Sequence, residues 1–121
     1  MLILRDCMSS PVISVPENAT VTEAVQTMAE KGVSSILVQG QDDYLGIFTT
    51  SDLVKRVVAK GLDPKTTKTL SVATSPILTI DMFLTPEEAN EKMLRHKVKR
   101  IGITKGKKIE GIISIKDIVK M

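Results

Sequence analysis

Short apolar runs and segments with helical periodicity alternate along this chain, and the same alternation occurs twice. The apolar runs 12–15 and 77–80 each follow a Ser-Pro pair, and each predicts a first strand. A helix is predicted after each strand, because Thr20 and Thr85 are each followed three positions later by Glu, the pattern of a capping box. The two halves therefore begin with the same strand and the same helix.

The apolar residues of each predicted helix recur at helical spacing, which indicates the side turned towards the core. They are Val21, Ala24, Val25 and Met28 in the first helix, and Ala89, Met93 and Leu94 in the second. Two strands joined by a polar turn follow in each half, and a closing helix ends it. The predicted strands are 35–38 and 45–48, then 100–104 and 109–113, and the closing helices are 51–60 and 115–120. The segments 5–8 and 70–73 are predicted to be lead-in turns before the two repeats.

An internal repeat relates the two halves: sliding the sequence by 65 positions (111 minus 46) aligns them without a gap and places Gly46 on Gly111. Such a repeat fixes the architecture more firmly than local propensity does. The predicted fold class is α+β, with two β-α-β-β-α repeats at 8–60 and 70–121 joined by a linker at 61–69. Each half has about 50 residues, too few to bury a good core alone. We therefore expect the repeats to pack sheet to sheet as one pseudo-twofold domain.

Composition limits the classes of function. Aromatic residues make up 2% of the chain, so few rings are present to stack on nucleic-acid bases. A formal charge of +3 is weak evidence for a nucleic-acid partner. The alternative that the basic run 95–100 contacts nucleic acid stays open beside two others, a solvated helix end and a phosphate contact.

The single cysteine, Cys7, excludes an intramolecular disulfide and is typical of a reducing compartment. Arg5 and Asp6 interrupt the apolar start, which therefore lacks the pattern of a signal peptide. No run approaches the ~20 apolar residues that a membrane span needs. We expect a cytoplasmic protein without a membrane partner.

The candidate chemistry lies where each third strand runs into the closing helix. Thr49 with Asp52, and Ser114 with Asp117, place a hydroxyl and a carboxylate three residues apart. A helix start offers free backbone N–H groups and the positive end of the dipole, which favours anions. The same spacing also matches a capping box without any ligand, so capping alone remains the alternative.

With these motifs in register, the sequence resembles the CBS domain family over nearly its whole length, as a tandem pair. The resemblance is carried by Gly46-Ile47-Phe48-Thr49…Asp52 and by Gly111-Ile112-Ile113-Ser114…Asp117, supported by Met8-Ser9-Ser10-Pro11 and by Val33-Ser34-Ser35 and Val98-Lys99-Arg100. It implies a regulatory module that binds adenosine-containing ligands (AMP, ADP, ATP or adenosyl compounds) in two clefts between the repeats. These ligands are regulatory, and no cofactor is expected.

The resemblance also implies residue roles. Asp52 and Asp117 would hold the ribose hydroxyls, and Thr49 and Ser114 would assist at ribose or phosphate. A carboxylate can accept hydrogen bonds from two vicinal hydroxyls at once. The facing walls would come from Ile13, Val33, Ser34 and Ser35, and from Leu78, Val98, Lys99 and Arg100.

The two repeats differ in charge at these walls. The first has neutral Ser34 and Ser35 where the second has Lys99 and Arg100. We hypothesise that one cleft prefers a phosphorylated nucleotide and that the other binds more weakly or prefers an uncharged adenosyl group. The resemblance implies clefts that take residues from both repeats, so either aspartate can be the one that faces the basic pair.

No catalytic constellation is predicted. His96, the only histidine, has no nucleophile at a recognisable spacing, and one Cys with one His cannot build a zinc site without several carboxylates. We expect a non-enzymatic protein that acts on an unknown partner in trans and forms a homodimer. The candidate dimer face is Leu53, Val54, Val57, Val58, Ile118 and Val119, for which the intramolecular core is the alternative.

Overall fold

The computed structural model describes residues 1–8 and 12–121, and within them the chain forms two compact units. The central unit is Ile13–Ile77, and the terminal unit combines Met1–Val12 with Leu78–Met121. Each unit contains one three-stranded sheet with helices, which confirms the predicted α+β class and the β-α-β-β-α order. The Ser-Pro pair predicted before the first strand lies at 10–11, outside the described residues.

The central unit follows the predicted order of elements closely. Its elements are β1 (Ser14–Pro16), α1 (Val21–Lys31), β2 (Ser35–Gln39), β3 (Tyr44–Thr49), α2 (Thr50–Asp52) with a π-helical segment (Leu53–Val58), and α3 (Thr69–Val72). Strand β2 is central, paired in parallel with β1 and antiparallel with β3. The antiparallel pairing brings the first residues of β2 beside the last residues of β3.

The terminal unit repeats this topology. A short 3₁₀ turn (Leu4–Asp6) comes first, followed by β4 (Thr79–Asp81), α4 (Pro86–His96), β5 (Arg100–Lys105), β6 (Lys108–Ser114) and α5 (Ile115–Val119). Strand β5 is central, parallel to β4 and antiparallel to β6. None of the helices in the described part of the chain combines the length and the hydropathy that crossing a membrane requires.

Capping boxes start the long helix of each unit, as predicted. The Thr20 and Thr85 hydroxyls accept hydrogen bonds from the backbone N–H groups of Glu23 and Glu88, whose side chains accept from the Thr N–H groups in return. The predicted inner stripes are buried except at two positions, Val25, which is partly buried, and Leu94. Leu94 was placed on the inner face of α4, but its side chain is exposed, because Ala89 and Met93 already fill that face.

The predicted closing helix at 51–60 is not a regular α-helix. Its first turn is α-helical, and Leu53–Val58 then continues as a π-helix. The Ala59 N–H donates to the Val54 carbonyl at 2.9 Å, which is a five-residue spacing. Within this segment Val57 is buried, and Val58 beside it is exposed.

Each sheet is covered at its glycine by a lead-in segment. In the central unit, Ile47 on β3 exchanges backbone hydrogen bonds of 2.9 Å with Thr74, and a Cβ placed on Gly46 would lie 3.1 Å from the Thr74 carbonyl oxygen. In the terminal unit, a Cβ on Gly111 would lie 2.8 Å from the Met8 sulfur. The lead-in before the first repeat therefore covers the sheet of the second.

The predicted linker at 61–69 is hydrogen-bonded within the central unit. The Val21 N–H at the start of α1 donates to the Thr67 carbonyl at 2.9 Å, and the Thr69 N–H donates to the Ala19 carbonyl at 3.0 Å. The compact units thus divide the chain differently from its repeats, because each unit takes its lead-in from the other repeat. The repeat bounds themselves remain a prediction from the sequence.

Candidate functional site

The first candidate site is built around Asp52, where β3 ends and α2 begins. Thr49 is the N-cap, and its hydroxyl accepts a hydrogen bond from the Asp52 N–H at 3.2 Å. The Asp52 carboxylate oxygen Oδ2 accepts in return from the Thr49 N–H at 3.0 Å and from the Thr49 hydroxyl at 3.1 Å. The predicted hydroxyl–carboxylate pair is therefore a complete capping box. Asp52 is 8% exposed, one of the few buried polar residues in the described chain.

The second oxygen of this carboxylate faces a cation. Arg56 Nε lies 3.6 Å from Asp52 Oδ1, one helical turn along the chain. The Arg56 Nη1 group also donates to the Ala73 carbonyl at 3.1 Å, so the guanidinium is held from two directions. Sequence reasoning missed Arg56, although the i,i+4 spacing from Asp52 was a visible signal. A buried carboxylate needs such a partner to offset its desolvation.

The predicted wall residues of the central unit converge on the same end of the sheet. The Thr50 N–H donates to the Ser34 carbonyl at 3.1 Å, and Ser35 is directly opposite Thr49 in the β2–β3 ladder. The Ile13 carbonyl accepts from the Leu37 N–H at 3.0 Å, and Ile13 and Val33 both pack partly buried against the core. We call this group (Ile13, Val33, Ser34, Ser35, Thr49 and Asp52, with Arg56) the Asp52 site.

The second candidate site repeats this geometry around Asp117, where β6 ends and α5 begins. The Ser114 hydroxyl accepts from the Asp117 N–H at 3.2 Å, and Asp117 Oδ2 accepts from the Ser114 N–H at 2.9 Å. Unlike Asp52, Asp117 is exposed. The position equivalent to Arg56 is Met121, so the arginine that pairs with Asp52 has no counterpart at the same spacing from Asp117.

The wall residues of the terminal unit converge in the same way. The Ile115 N–H donates to the Lys99 carbonyl at 2.9 Å, and Arg100 is directly opposite Ser114 in the β5–β6 ladder. The Leu78 carbonyl accepts from the Gly102 N–H at 2.8 Å, and Val98 is partly buried. Together with Asp117 these residues form the Asp117 site. The structure thus groups all twelve predicted residues, six in each unit, while their binding role stays a prediction.

The basic run 95–100 is divided by the fold. Helix α4 ends at His96, and Lys97 is its C-cap in the left-handed conformation at φ 56°. Val98 is partly buried and Arg100 begins β5. The first part of the run therefore fits a helix end, where cations interact favourably with the dipole. Lys99 and Arg100 belong to the Asp117 site.

Charge is distributed unevenly between the two units. Residues 1–12 with 78–121 contain eleven Lys and Arg against seven Asp and Glu, whereas residues 13–77 contain six against seven. The terminal unit is therefore the basic one, and an anion in solution is attracted to it more strongly.

Cys7 is partly buried, and its thiol donates to the Ile3 carbonyl at 3.3 Å. Burial raises the pKa of this thiol, and the negative charges of Asp6 and Glu87 raise it further. A raised pKa makes the thiolate scarcer and the side chain less reactive. Across the described ranges, 1–8 and 12–121, no three His, Cys, Asp or Glu side chains group as metal ligands.

The residues predicted as a dimer face divide into two kinds. Val57 is fully buried, and Leu53 and Ile118 pack partly buried against the cores of their own units. Val54, Val58 and Val119 are largely exposed. Val57 is therefore unavailable for contact with another chain, and the last three offer the most exposed apolar surface.

Comparison with known families gives a match over most of the chain. The family model described as CBS domain matches twice, at residues 4–59 and 70–121. Among curated proteins, Hypoxic response protein 1 of Mycobacterium tuberculosis is 32% identical over 121 residues, which cover 99% of this chain and 85% of that protein.

Solved structures give the same fold. The CBS-CP12 protein from bloom-forming cyanobacteria, described as hexameric, superposes with a TM-score of 0.89 at 32% identity, covering 98% of this chain and 70% of that one. The CBS domain protein PAE2072 from Pyrobaculum aerophilum, described as complexed with AMP, superposes with a TM-score of 0.86 at 26% identity, covering 96% of this chain and 89% of that one.

Proposed function

Since the chain belongs to the CBS domain family as a tandem pair, a regulatory module, we propose that it senses an adenosine-containing ligand. The ligand is AMP, ADP, ATP or a related adenosyl compound, held at the Asp52 site, the Asp117 site or both. The protein performs no catalysis of its own and conveys ligand occupancy to a partner in trans.

The observation that carries this proposal is the repeated carboxylate–hydroxyl pair at a helix start. Both Asp52 and Asp117 direct one carboxylate oxygen into the capping box, with Oδ2 to backbone N–H distances of 3.0 and 2.9 Å. Each carboxylate is thereby fixed, and its remaining acceptor positions are presented in a defined direction. Two vicinal ribose hydroxyls are donors that such a carboxylate can accept together.

The surroundings of each carboxylate suit the rest of a nucleoside. Ile13 and Val33 in one unit, and Leu78 and Val98 in the other, are apolar side chains that are only partly buried. They provide aliphatic surface for a flat base, and nearby backbone groups provide polar partners. Small-ligand sites usually have this composition of apolar walls with a few placed polar groups. The AMP complex described for PAE2072, which has the same fold, supports the choice of an adenine nucleotide.

Calorimetric titration with AMP, ATP and adenosine tests the proposal. We expect saturable binding by the unmodified protein. We expect Asp52→Ala and Asp117→Ala each to weaken the site that it alters by about tenfold or more, since each removes a charged hydrogen-bond acceptor worth ~1.5–3 kcal/mol.

Lys107→Ala is the matched control, because Lys107 is exposed in a hairpin turn at the opposite end of β5 from Arg100. Melting temperatures of all variants, without ligand, separate lost binding from lost folding. Absence of saturable binding for every adenosine compound contradicts the proposal. A salt-dependent gel shift with RNA or DNA in its place would favour the nucleic-acid alternative.

Signal transfer is proposed to pass through another chain. Val54 and Val58 are exposed apolar side chains on the segment that directly follows Asp52, and Val119 has the same relation to Asp117. A ligand bound at either carboxylate is therefore within two helical turns of exposed apolar side chains, which a partner can cover. We propose that this surface contacts a second copy of the chain, as a homodimer, or the regulated protein.

A further inference from the structure

We infer that Arg56 sets the ligand specificity of the Asp52 site, making it select a phosphorylated adenosine ligand over an uncharged one. The inference rests on the proposed function and deepens it by naming the ligand class of one site. It concerns a residue outside the repeated Gly…Asp motif, and it differs from the hypothesis that one of the two clefts prefers an uncharged adenosyl group.

Without Arg56, the Asp52 site would carry an unbalanced negative charge. Asp52 is buried, and in its Thr49 capping box it accepts only backbone and hydroxyl donors, which are neutral. Its negative charge would repel a phosphate group attached to the same ribose. In a partly buried site this repulsion is screened much less than in water.

Arg56 supplies a positive charge beside the Asp52 carboxylate. Its Nε lies 3.6 Å from Asp52 Oδ1, and this is the only ion pair that the described residues of the central unit make. The pair neutralises the carboxylate while leaving it able to accept hydrogen bonds. The Arg56 side chain is 50% exposed, so part of the guanidinium is accessible to a ligand. A guanidinium offers five N–H donors, of which the hydrogen bond to the Ala73 carbonyl uses one.

The two repeats have their cations at different positions. The Asp117 site has Met121 at the position of Arg56, but Lys99 and Arg100 begin its facing strand. The Asp52 site has Ser34 and Ser35 there instead. Each site therefore has a cation source, and the two sources are on different elements. We infer that both sites accept an anionic ligand, and that the Asp52 site does so through Arg56.

The test compares AMP with adenosine, two probes that differ only in the phosphate. An Asp117→Ala background confines the measurement to the Asp52 site. Arg56→Met introduces the residue of the equivalent position in the second repeat. We expect it to weaken AMP binding about tenfold, as for the loss of a charge-assisted contact, while adenosine binding changes by less than about twofold.

Two further variants sharpen this comparison. Lys55→Met removes a neighbouring exposed charge from the same segment and is expected to leave the AMP-to-adenosine ratio unchanged. Arg56→Lys keeps the charge and is expected to retain most of the preference for AMP.

The outcomes are distinguishable. Equal weakening of AMP and adenosine by Arg56→Met would mean that the residue acts only by holding Asp52, and would overturn the inference. An unchanged ratio with unchanged affinities would overturn it as well. Both results leave the proposed function standing, whereas failure of the Asp117→Ala protein and the unmodified protein to bind either probe contradicts the proposed function itself.

Discussion

At the scale of single residues, the two aspartates that the sequence makes equivalent have different surroundings. Asp52 is buried and contacts Arg56, whereas Asp117 is exposed and accepts from the Ser114 N–H of its own capping box. Removing one member of a buried carboxylate pair lowers the free energy of unfolding more than removing an exposed helix cap does. The two equivalent motifs are therefore expected to contribute unequally to the free energy of unfolding.

The unequal weight predicts unequal stability losses. We expect Asp52→Ala to lower the free energy of unfolding by about 2 kcal/mol, because it removes the cap and leaves Arg56 without its ion pair. We expect Asp117→Ala to lower it by about 1 kcal/mol, the usual value of a cap. Urea denaturation followed by circular dichroism measures both. A larger loss for Asp117→Ala would contradict this account of the two environments.

How far the sequence predicts a site is clear from Asp52 and Arg56. The carboxylate and its hydroxyl partner are predictable, because a capping box is a local pattern three residues long. The i,i+4 spacing also makes the Arg56–Asp52 pair predictable. The second contact of Arg56 is not predictable, because the Ala73 carbonyl is seventeen residues away and its position depends on where the lead-in segment packs. The difference in burial between the aspartates depends on tertiary packing in the same way.

At the scale of elements, the two long helices end with the same backbone geometry and different residues. Helix α1 ends at Gly32 with φ 65°, and α4 ends at the repeat-equivalent Lys97 with φ 56°. The left-handed conformation is free of steric cost only for glycine. Lys97 is therefore a strained cap that the fold tolerates.

This pair of caps predicts substitutions of opposite sign. We expect Lys97→Gly to raise the free energy of unfolding by about 0.5–1 kcal/mol, because it removes the Cβ clash of the left-handed cap. We expect Gly32→Ala to lower it by about 1 kcal/mol, because it introduces that clash. Thermal unfolding of both proteins measures the effects. Destabilisation by Lys97→Gly would mean that the lysine side chain contributes more than its backbone strain costs.

Helical periodicity in the sequence predicts the wrong buried positions in two of the helices. Leu94 follows Met93 on α4, and both are apolar, but only Met93 is buried. In the closing helix of the central unit, α-helical spacing groups Val54, Val57 and Val58, whereas the π-helical segment buries Val57 alone. A hydrogen-bond pattern that shifts by one residue within a helix depends on tertiary packing, and local sequence does not encode it.

At the scale of the whole molecule, the repeat predicts the topology of both sheets but not the division into compact units. The N-terminal segment packs in the same unit as β6, where Met8 covers Gly111. The Leu4 N–H also donates to the Leu84 carbonyl at 2.8 Å. This segment precedes the first repeat in the sequence, and its own residues do not predict which of the two sheets it covers.

The covering of Gly111 by Met8 can be tested by a double-mutant cycle. We expect Gly111→Ala to destabilise the protein by about 1–3 kcal/mol, because the new methyl group overlaps the Met8 side chain. We expect Met8→Ala to cost less in the Gly111→Ala background than in the unmodified protein, since it removes the overlap. Chemical denaturation of the four proteins measures the coupling. Strictly additive losses would contradict the contact.

The assignment of the first twelve residues to the unit of Leu78–Met121 makes Ile13–Ile77 an insertion in the chain of the terminal unit. The duplicated segment and the compact unit are therefore offset from one another along the chain. A circular permutant that begins at Leu78 and joins Met121 to Met1 would restore contiguity to both, placing each unit in one uninterrupted stretch of polypeptide.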